Sequence, residues 1–512
     1  MRFAGFSLSV ITLALLAAPG FAAVYSVEDL GASDDVELVY GTASNGDITA
    51  ANGQIRYTST YNVGDTTLFK AGDLSALFLR NGEATSVTAF DSFNDDGVRS
   101  GTTEEYLVGV TPSGLMVGSG TAPYYLTEFT INEVEDEKVV RDFPARAFTT
   151  LDGVTITPVL PPYNETGGIS RILAVNASNL AVGYASISQT VGSAESYATC
   201  IEESGYPQVV CAQSVAYQLR AYAWQLSDGG EVVSGTNLGL PFTPTDDDER
   251  LYSSQANAIN SDGVAIGYAS YAESSDSVIR TLATVYQDGQ VSLIHDPAAF
   301  TYSYAHGISD TNSDGVTYVV GQVPLRIDGY TYSKFFVYPL GAEGATLRYA
   351  FGGDGGVQDF YRASNSVARA VNSKGQVVGW GEWELAPNSQ NRRHHGFLYD
   401  ARDNSFTDLN ALIPCDSAYE IVDAVAIDES GEILAHALLK TDARDGSGAL
   451  VSGEQEYVVR TVRLALTGGT SDQCPNEAPP TIERKGASYS LWLLGVMLFA
   501  LGLRRLYIRS IG

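Results

Sequence analysis

Residues 256–267 decide the fold, and they read Ala-Asn-Ala-Ile-Asn-Ser-Asp-Gly-Val-Ala-Ile-Gly. Small and branched residues alternate on both sides of a polar centre, a pattern that predicts a strand, a tight turn and a second strand. Asn260 opens the turn by bonding to its own backbone, and Gly263 supplies a positive φ that other residues resist. The closing Gly267 indicates that another part of the backbone approaches closely there.

The same pattern recurs along the chain, at residues 368–379, 174–183 and 424–435 and in degenerate form at 108–118 and 305–321. The turn positions 114, 179, 263, 315, 375 and 431 are separated by 65, 84, 52, 60 and 56 residues. An aromatic strand and another turn follow most copies, so one unit holds about four antiparallel strands. Four-stranded units repeated around an axis make a β-propeller.

The size of the repeat predicts an all-β protein with about seven four-stranded blades over residues 24–467. We expect the strand at 458–467 to complete a blade begun by residues 24–30, which would close the ring. The long 84-residue interval carries an insertion, and residues 41–101 match the repeat poorly, so a blade there is assumed. A β-solenoid is the competing arrangement.

Both ends of the chain carry segments typical of export. Residues 1–23 resemble a signal peptide cut after Ala22 or Ala23, with a retained amino-terminal anchor as the alternative. Residues 468–487 form a polar, proline-containing spacer, and 488–508 form a predicted transmembrane or sorting helix. Its positive flank at Arg504 and Arg505 would hold the terminus on the cytoplasmic side.

Charge and cysteine content agree with an exported protein. The net charge of −30 argues against a nucleic-acid partner, because a polyanion would be repelled. Four cysteines allow two disulfides in three pairings. We pair Cys200 with Cys211, which flank a short polar loop, and this leaves Cys415 with Cys474. Neither pair has the spacing of a redox or zinc site, so both are interpreted as structural.

Enzyme motifs with a defined mechanism are missing: the sequence holds no GxSxG, HExxH, GxxxxGK or GxGxxG. Asp310, Asn312 and Asp314 have the spacing of the front half of a calcium loop, although position twelve is Gly321 rather than Glu. An ordinary turn explains the same residues. The histidines His394 and His395 are adjacent, so one is expected to pack while the other faces solvent.

Two acidic groups complete the candidates. The run at residues 246–249 is interpreted as a solvated loop, with cation binding as the alternative. Asp91, Asp95 and Asp96 could supply paired carboxylates for hydrolysis of a sugar or an ester.

The repeats resemble the extracellular His-Ala-Phe repeat family of bacterial proteins. His395-Gly396-Phe397 is close to the name-giving triplet, and residues 24–31 resemble the family's opening strand. The whole chain is similar to a group of gamma-proteobacterial exported proteins with a domain of unknown function. Its tail at Gly486, Ala487 and Ser488 resembles Gly-Gly sorting signals processed by rhomboid-type proteases. The resemblance implies an exported repeat protein.

These observations favour an exported propeller, anchored at the envelope or released from the surface, that acts as a non-enzymatic binding or scaffold module. The expected partners are the membrane, through the carboxy-terminal helix, and an envelope protein or a glycan, with no cofactor other than the candidate calcium. The alternative is a polysaccharide-directed hydrolase or lyase with carboxylates in the axial funnel. Several perturbed carboxylates near the axis would favour that enzyme.

Mass spectrometry of the carboxy-terminal peptide, from membranes and from culture medium separately, tests the interpretation of the tail. A terminus ending near Gly486 in surface or medium fractions would support proteolytic sorting. A terminus reaching Gly512, found in membranes alone, would contradict sorting and indicate a single-span anchor.

Overall fold

The computed structural model describes residues 24–31, 38–54, 59–63, 66–70, 74–93, 95, 99–101, 103–245, 250–272, 278–342, 347–351, 357–384, 392–444 and 450–469. The chain divides into two compact units, Met1–Trp383 with Arg393–Cys474, and Glu384–Arg392 with Pro475–Gly512. In the second unit the described residues are Glu384 and Arg392.

Seven four-stranded antiparallel sheets, called blades 1 to 7 in chain order, make up the first unit. The first strand, β1 (Tyr25–Asp29), belongs to blade 7. Blade 1 follows as β2 (Leu38–Ser44), β3 (Thr49–Gln54), a hairpin of β4 (Ser59–Val63) and β5 (Thr66–Lys70), then β6 (Leu74–Arg80) and β7 (Glu83–Ser86). A small hairpin of β8 (Ser92–Phe93) and β9 (Arg99–Gly101) leads to blade 2.

Blade 2 contains β10 (Glu105–Val110), β11 (Met116–Gly120), a hairpin of β12 (Tyr125–Ile131) and β13 (Val134–Val140), then β14 (Arg146–Thr150) and β15 (Thr157–Val159). Blade 3 contains β16 (Ser170–Val175), β17 (Leu180–Gln189), α1 (Val191–Thr199), a π-helical turn (Cys200–Ser204), α2 (Gln208–Ala212), β18 (Tyr217–Leu226) and β19 (Val232–Gly239). Blade 4 contains β20 (Ser254–Ile259), β21 (Ala265–Tyr271), β22 (Arg280–Gln287) and β23 (Gln290–Leu293).

Blade 5 contains β24 (Tyr304–Ile308), β25 (Thr317–Ile327), β26 (Tyr330–Leu340) and β27 (Arg348–Tyr349). Blade 6 contains β28 (Ser366–Val371), β29 (Gln376–Glu382), β30 (His394–Asp400) and β31 (Ser405–Asp408), followed by a 3-10 turn (Leu409–Ala411). Blade 7 contains β32 (Tyr419–Ile427), β33 (Ile433–Arg444) and β34 (Leu450–Leu466), and β1 is its fourth strand.

Both ends of the sheet-forming chain meet in blade 7. Strand β1 pairs antiparallel with β34, from Tyr25 opposite Leu466 to Asp29 opposite Val462. The first strands of successive blades are neighbours, and β2 of blade 1 contacts β32 of blade 7. The strands therefore close into a ring, which confirms the seven-bladed propeller and the predicted closing strand and excludes a solenoid.

Hydrophobic clusters lie between neighbouring blades, and residue size changes with distance from the axis. Small residues such as Ala256 and Ala368 occupy the first strands, whereas Phe336 and Phe397 of the third strands are equally buried. Sheets that radiate from an axis have little room near it and more room outside. The alternation of alanine and aromatic motifs in the sequence follows from this taper.

The repeated turns have the backbone that the sequence predicts. The φ angle is +81° at Gly263 and +58° at Asn179, which replaces glycine in blade 3. At the end of the pattern, a Cβ on Gly267 would lie 2.0 Å from the carbonyl oxygen of Gln255. The predicted close approach is thus between the first two strands of one blade.

The turn asparagine also connects one blade to the next. The Oδ1 of Asn260 accepts the N–H of Val264 at 2.9 Å and so closes its own turn, while its Nδ2 donates to the carbonyl of Ser309 in blade 5 at 3.2 Å. Asn176 donates in the same way to the carbonyl of Asn260, at 2.9 Å. One side chain therefore shapes a turn and holds two blades together.

The junction between blades 7 and 1 lacks this amide bridge, because its turn residue is Asp428. The Oδ1 of Asp428 accepts N–H groups of Gly431 and Glu432, but a carboxylate has no hydrogen with which to bridge to blade 1. A cleft of about 640 Å³ opens at this junction, and its lining includes Asp428 and Asn45.

In blades 3 and 5 a cation directly before the aromatic part of the third strand secures the connection between blades. Arg220 donates from Nη1 to the carbonyl of Tyr252 at 2.6 Å. Lys334 is fully buried, and its Nζ lies 2.8 Å from the equally buried Asp359. Because a buried unpaired charge is costly, the pairing makes this position tolerable in the core. The cations that precede the aromatic residues of these third strands thus have a structural role.

The two faces of the propeller carry different connections. Short asparagine turns join the first and second strands on one face, called the turn face. Longer segments join the second and third strands on the other, called the insertion face, and include the β12–β13 hairpin and the α1–α2 segment. These two insertions pack together, with Phe129 and Tyr206 edge to face at 5.4 Å.

The insertion of blade 3 contains the predicted disulfide between Cys200 and Cys211. The prediction of a polar loop between these cysteines is wrong, because the segment is helical from residue 191 to 204 and again in α2. Cys415 is also disulfide-bonded, and its predicted partner Cys474 lies outside the described residues, so that pairing stays a prediction. Within the described ranges no helix is long and apolar enough to cross a membrane.

Replacing Asn260 with Asp tests the bridge between blades. The Asn260→Asp variant keeps the oxygen that closes the turn but loses the donor to Ser309, so we expect a loss of about 1–3 kcal/mol in the free energy of unfolding. Urea denaturation measures this change. Asn312→Asp is the matched control, because the Oδ1 of Asn312 closes its turn at Val316 and no bridge from its amide occurs among the described residues. Equal losses in both variants would contradict the bridge.

Candidate functional site

Each first strand carries a β-bulge at the same place in the repeat. The register shifts at Asn257 in blade 4, at His306 in blade 5 and at Arg369 in blade 6. The corresponding bulged residues of the other blades are Thr42, Val108, Leu173 and Val425. A bulge re-aims side chains next to it. The second position of the sequence motif, which varies from blade to blade, is therefore the bulged residue. It lies on the innermost strand and has no paired residue on the second strand.

A layer of side chains surrounds the axis just before the bulges. We call it the axial layer. Each blade contributes two residues to it: the one that lies two positions before the bulge on the first strand, and the residue paired with it on the second strand. Its first-strand members are Tyr40, Tyr106, Arg171, Gln255, Tyr304, Val367 and Asp423, and their partners are Asn52, Ser119, Tyr184, Tyr268, Gln322, Trp380 and His436.

The axial layer lies toward the insertion face. A first strand enters its blade from the face where the connection from the preceding blade arrives, and Tyr106, Arg171 and Gln255 are each the second residue of such a strand. The connections from second to third strands lie on that same face, because neighbouring strands are antiparallel. The long insertions thus surround the end of the propeller at which the layer is placed.

Members of the axial layer contact one another across blade boundaries. Tyr268 of blade 4 meets Tyr304 of blade 5 edge to face at 5.1 Å, and Tyr40 meets His436 at 5.4 Å. The guanidinium of Arg171 lies 5.6 Å from the ring centre of Tyr106, a cation–π arrangement. These side chains are half-buried, so the layer is a partly accessible aromatic surface.

A polar cluster lies in blades 5 to 7 and combines Asp423 and His436 of the axial layer with the bulged residues His306 and Arg369. The Nη2 of Arg369 donates to Oδ2 of Asp423 at 3.1 Å, and the Nε2 of His436 lies 2.9 Å from the carbonyl of Gly41. Three buried atoms of the cluster have no hydrogen-bond partner among the described residues: Nε2 of His306, Nε of Arg369 and Oδ1 of Asp423. Buried polar atoms are normally satisfied, so the cluster has free capacity for a donor and an acceptor.

The histidines of the cluster are held neutral. Burial and the charge of Arg369 lower the pKa of His306 to about 4. Burial also lowers the pKa of His436, although Asp423 opposes this. Neutral imidazoles offer one donor and one acceptor each, so the cluster presents mixed hydrogen-bonding groups at neutral pH.

The remaining histidines are structural. His295 is buried against Phe336, with ring centres 4.8 Å apart, and burial lowers its pKa to about 4. His394 is exposed and His395 is buried, as the sequence predicts for neighbours on a strand. Burial opposes protonation of His395, but its hydrogen bonds with Asp408 and Glu420 prevail and raise its pKa.

The candidate calcium residues lie in the turn of blade 5, on the turn face. Asn312 Oδ1 accepts the N–H groups of Asp314 and Val316, and Asp310 Oδ1 accepts the N–H of Ser261 in blade 4 at 2.8 Å. Those oxygens therefore already have backbone partners. Among the described residues no group of three or more His, Cys, Asp or Glu has a geometry suited to a metal. Calcium binding stays a prediction.

Among the other predicted residues, Asp91 and Asp95 lie in the connection between blades 1 and 2. Asp91 Oδ1 accepts the N–H of Thr103 at 2.7 Å, and Asp95 is exposed. Asp96 and the acidic run at 246–249 lie outside the described residues. So do the signal segment 1–23 and the whole tail, including Gly486, Ala487, Ser488, Arg504 and Arg505.

The sequence reasoning missed the axial layer. Its signal was present in the alignment of the repeats, because Gln255, Tyr304 and Asp423 each stand directly before a motif alanine. The repeat predicts where these residues lie in a strand, but their convergence depends on how seven blades close around one axis.

Fold and layer together define a seven-bladed propeller with an aromatic and polar axial surface. The chain belongs to the family described as protein of unknown function (DUF3466), whose model matches residues 54–506. No curated protein matches the chain.

Several solved structures are distantly similar to this chain. The β-propeller domain of the trilobed protease from Pyrococcus furiosus is 10% identical, with a TM-score of 0.35, over 82% of this chain and 96% of that one. The acylaminoacyl peptidase of Pyrococcus horikoshii is 13% identical, with a TM-score of 0.38, over 84% of this chain and 53% of that one. A protein of unknown function from Dyadobacter fermentans is 11% identical, with a TM-score of 0.34, over 88% and 100%.

Stability at acid pH should depend on His295. With a folded pKa of about 4 against 6.5 unfolded, the unfolded state takes up a proton that the folded state refuses, so stability falls as the pH drops from 6.5 toward 4. Replacing His295 with Leu should reduce the loss of stability between about pH 7 and pH 5 by about 2 kcal/mol. Urea denaturation at both pH values measures this.

His395 provides the opposite control. Its raised pKa contributes stability that is complete below the unfolded pKa and is lost as the pH rises through the folded pKa. His395→Gln should therefore cost more at about pH 5 than at about pH 9. An unchanged acid dependence in His295→Leu would show that His295 is not a source of the acid sensitivity.

Proposed function

We propose that this protein is an exported binding module whose ligand sits on the axial layer, toward the insertion face. The observation that carries the proposal is the combination of an accessible aromatic surface with the unsatisfied atoms of His306, Arg369 and Asp423. A site with apolar surface and a few convergent polar groups is typical of ligand recognition.

The carboxylates support binding rather than hydrolysis. Acid–base cleavage of a glycoside needs two carboxyl groups on either side of one bond. Burial raises the pKa of Glu105, which opens the first strand β10, and of Asp359, in the connection between blades 5 and 6. Glu105 accepts the N–H of Phe90, and Asp359 is paired with Lys334. Both carboxylates with a raised pKa therefore already have partners within the protein, which favours binding over the alternative of a polysaccharide hydrolase.

Export is part of the same proposal. The disulfide between Cys200 and Cys211 supports an oxidising compartment, because such bonds rarely persist in the cytosol. Residues 1–23 would direct secretion, and residues 488–508 would anchor the protein or direct sorting to the surface. The net charge of −30 favours a soluble, self-repelling exterior and disfavours a nucleic-acid partner.

Ligand capture tests the proposed function without assuming a ligand class. The intact protein is incubated with small molecules from envelope and culture-medium extracts, recovered and denatured, and the released compounds are identified by mass spectrometry. We expect a compound of unchanged mass that is retained by the wild-type protein and lost from Arg369→Ala and from Asp423→Asn.

Arg402→Gln is the matched control, because Arg402 pairs with Asp400 in the turn between third and fourth strands and lies outside the axial layer. Retention of the compound by Arg369→Ala would contradict the axial site. Recovery of shortened products in place of the input compound would support the enzyme instead.

A further inference from the structure

We infer that the axial layer recognises a neutral oligosaccharide. The inference rests on the proposed function and specifies its ligand class. It depends on three properties of the layer: its charge balance, the arrangement of its aromatic faces and the chemistry of its unsatisfied atoms.

Charges in and beside the layer show no positive surplus. Arg369 is paired with Asp423, and Arg171 lies over Tyr106, whose hydroxyl donates to Glu104 at 3.4 Å. Glu382 adds a further negative charge beside His394, inside a protein of net charge −30. A polyanionic glycan would be repelled by the whole molecule and would find no surplus of positive charge at the axis. The absence of such a surplus favours a ligand without negative charge.

Aromatic faces and polar edges alternate around the layer. Tyr268 and Tyr304 are perpendicular to each other, and Trp380 stacks on His394 at 4.2 Å. Burial raises the pKa of Tyr106, Tyr184 and Tyr268, so these hydroxyls stay protonated and act as both donors and acceptors. A sugar ring has the matching chemistry, because its C–H faces are apolar and its hydroxyls lie at the edges.

The unsatisfied atoms match the hydroxyl group in particular. Arg369 Nε can only donate and Asp423 Oδ1 can only accept, while neutral His306 offers Nε2 as either. A hydroxyl both donates and accepts, so neighbouring sugar hydroxyls would satisfy all three atoms once they displace the side chains that cover them. Leaving such atoms unpaired is costly in a buried site, which gives the sugar an advantage over an apolar ligand.

The test is a titration of the intact protein with oligosaccharides, in which binding is measured by calorimetry and by tryptophan fluorescence. The neutral probes are hexasaccharides of glucose in β-1,3, β-1,4 and α-1,4 linkage, of mannose, of xylose and of N-acetylglucosamine. The acidic probes are the hexasaccharides of galacturonate and mannuronate. We expect saturable binding of at least one neutral probe, with the acidic probes about tenfold weaker or worse.

Variants connect the binding to the layer. Tyr268→Ala and Tyr304→Ala should each weaken binding of the neutral probe about tenfold, because each removes an aromatic face on which a sugar ring would stack. Tyr268→Phe should retain most of the affinity and shows that the fold tolerates the site. Tyr330→Ala is the matched control, since Tyr330 is 70% exposed on the β25–β26 hairpin and lies outside the layer.

The titrations and the variants can each overturn the inference that the ligand is a neutral oligosaccharide. Binding of no neutral probe, tighter binding of the acidic probes, or equal losses in Tyr304→Ala and Tyr330→Ala would overturn it. In each of these cases the capture experiment still decides the proposed function, because it accepts any class of small molecule. A captured compound that is not a sugar would leave the axial site in place and refute its specificity for sugars.

Discussion

The narrowing of space toward the axis is the constraint on which the rest of this structure depends. Seven sheets can meet around one axis when their inner strands carry small residues such as Ala256, while rings such as Phe336 fill the wider outer space. At Gly267 the missing side chain lets the carbonyl of Gln255 come close, and the bulge at Asn257 lies beside it. Packing near the axis therefore also determines which side chains are free to meet there.

The turn asparagines provide directional contacts that packing alone would not supply. The bond from Asn260 to Ser309 fixes the position of one blade relative to the next, whereas hydrophobic contact between two sheets permits some sliding. Asp428 cannot make the equivalent bond, and at that junction Thr461 of blade 7 donates from Oγ1 to the carbonyl of Val39 in blade 1 at 2.8 Å. A cleft lies beside Asp428 at the same junction.

Most of the fold could be predicted from the sequence, because each blade repeats the same local chemistry. The turn at Gly263, the closing strand near residue 466 and the pairing of Cys200 with Cys211 all follow from short segments. The axial layer could not be predicted in the same way, since Arg369 and Asp423 are 54 residues apart and meet through the closure of the blades. The helices of the blade 3 insertion were not predicted either. Helix α1 buries no side chain and α2 buries that of Cys211, so the sequence shows no apolar periodicity that would indicate a helix.

The sharing of blade 7 between the two ends of the chain has a consequence for the order of folding. Pairs such as Ser26 with Ala465 are separated by 439 residues, so they cannot form until nearly all of the chain has emerged. Contacts between residues so far apart in sequence form late and slowly. Until then the last blade lacks one of its strands and has an unpaired edge that can join another chain. The proposed export of this protein would therefore require protection of that edge until translocation is complete.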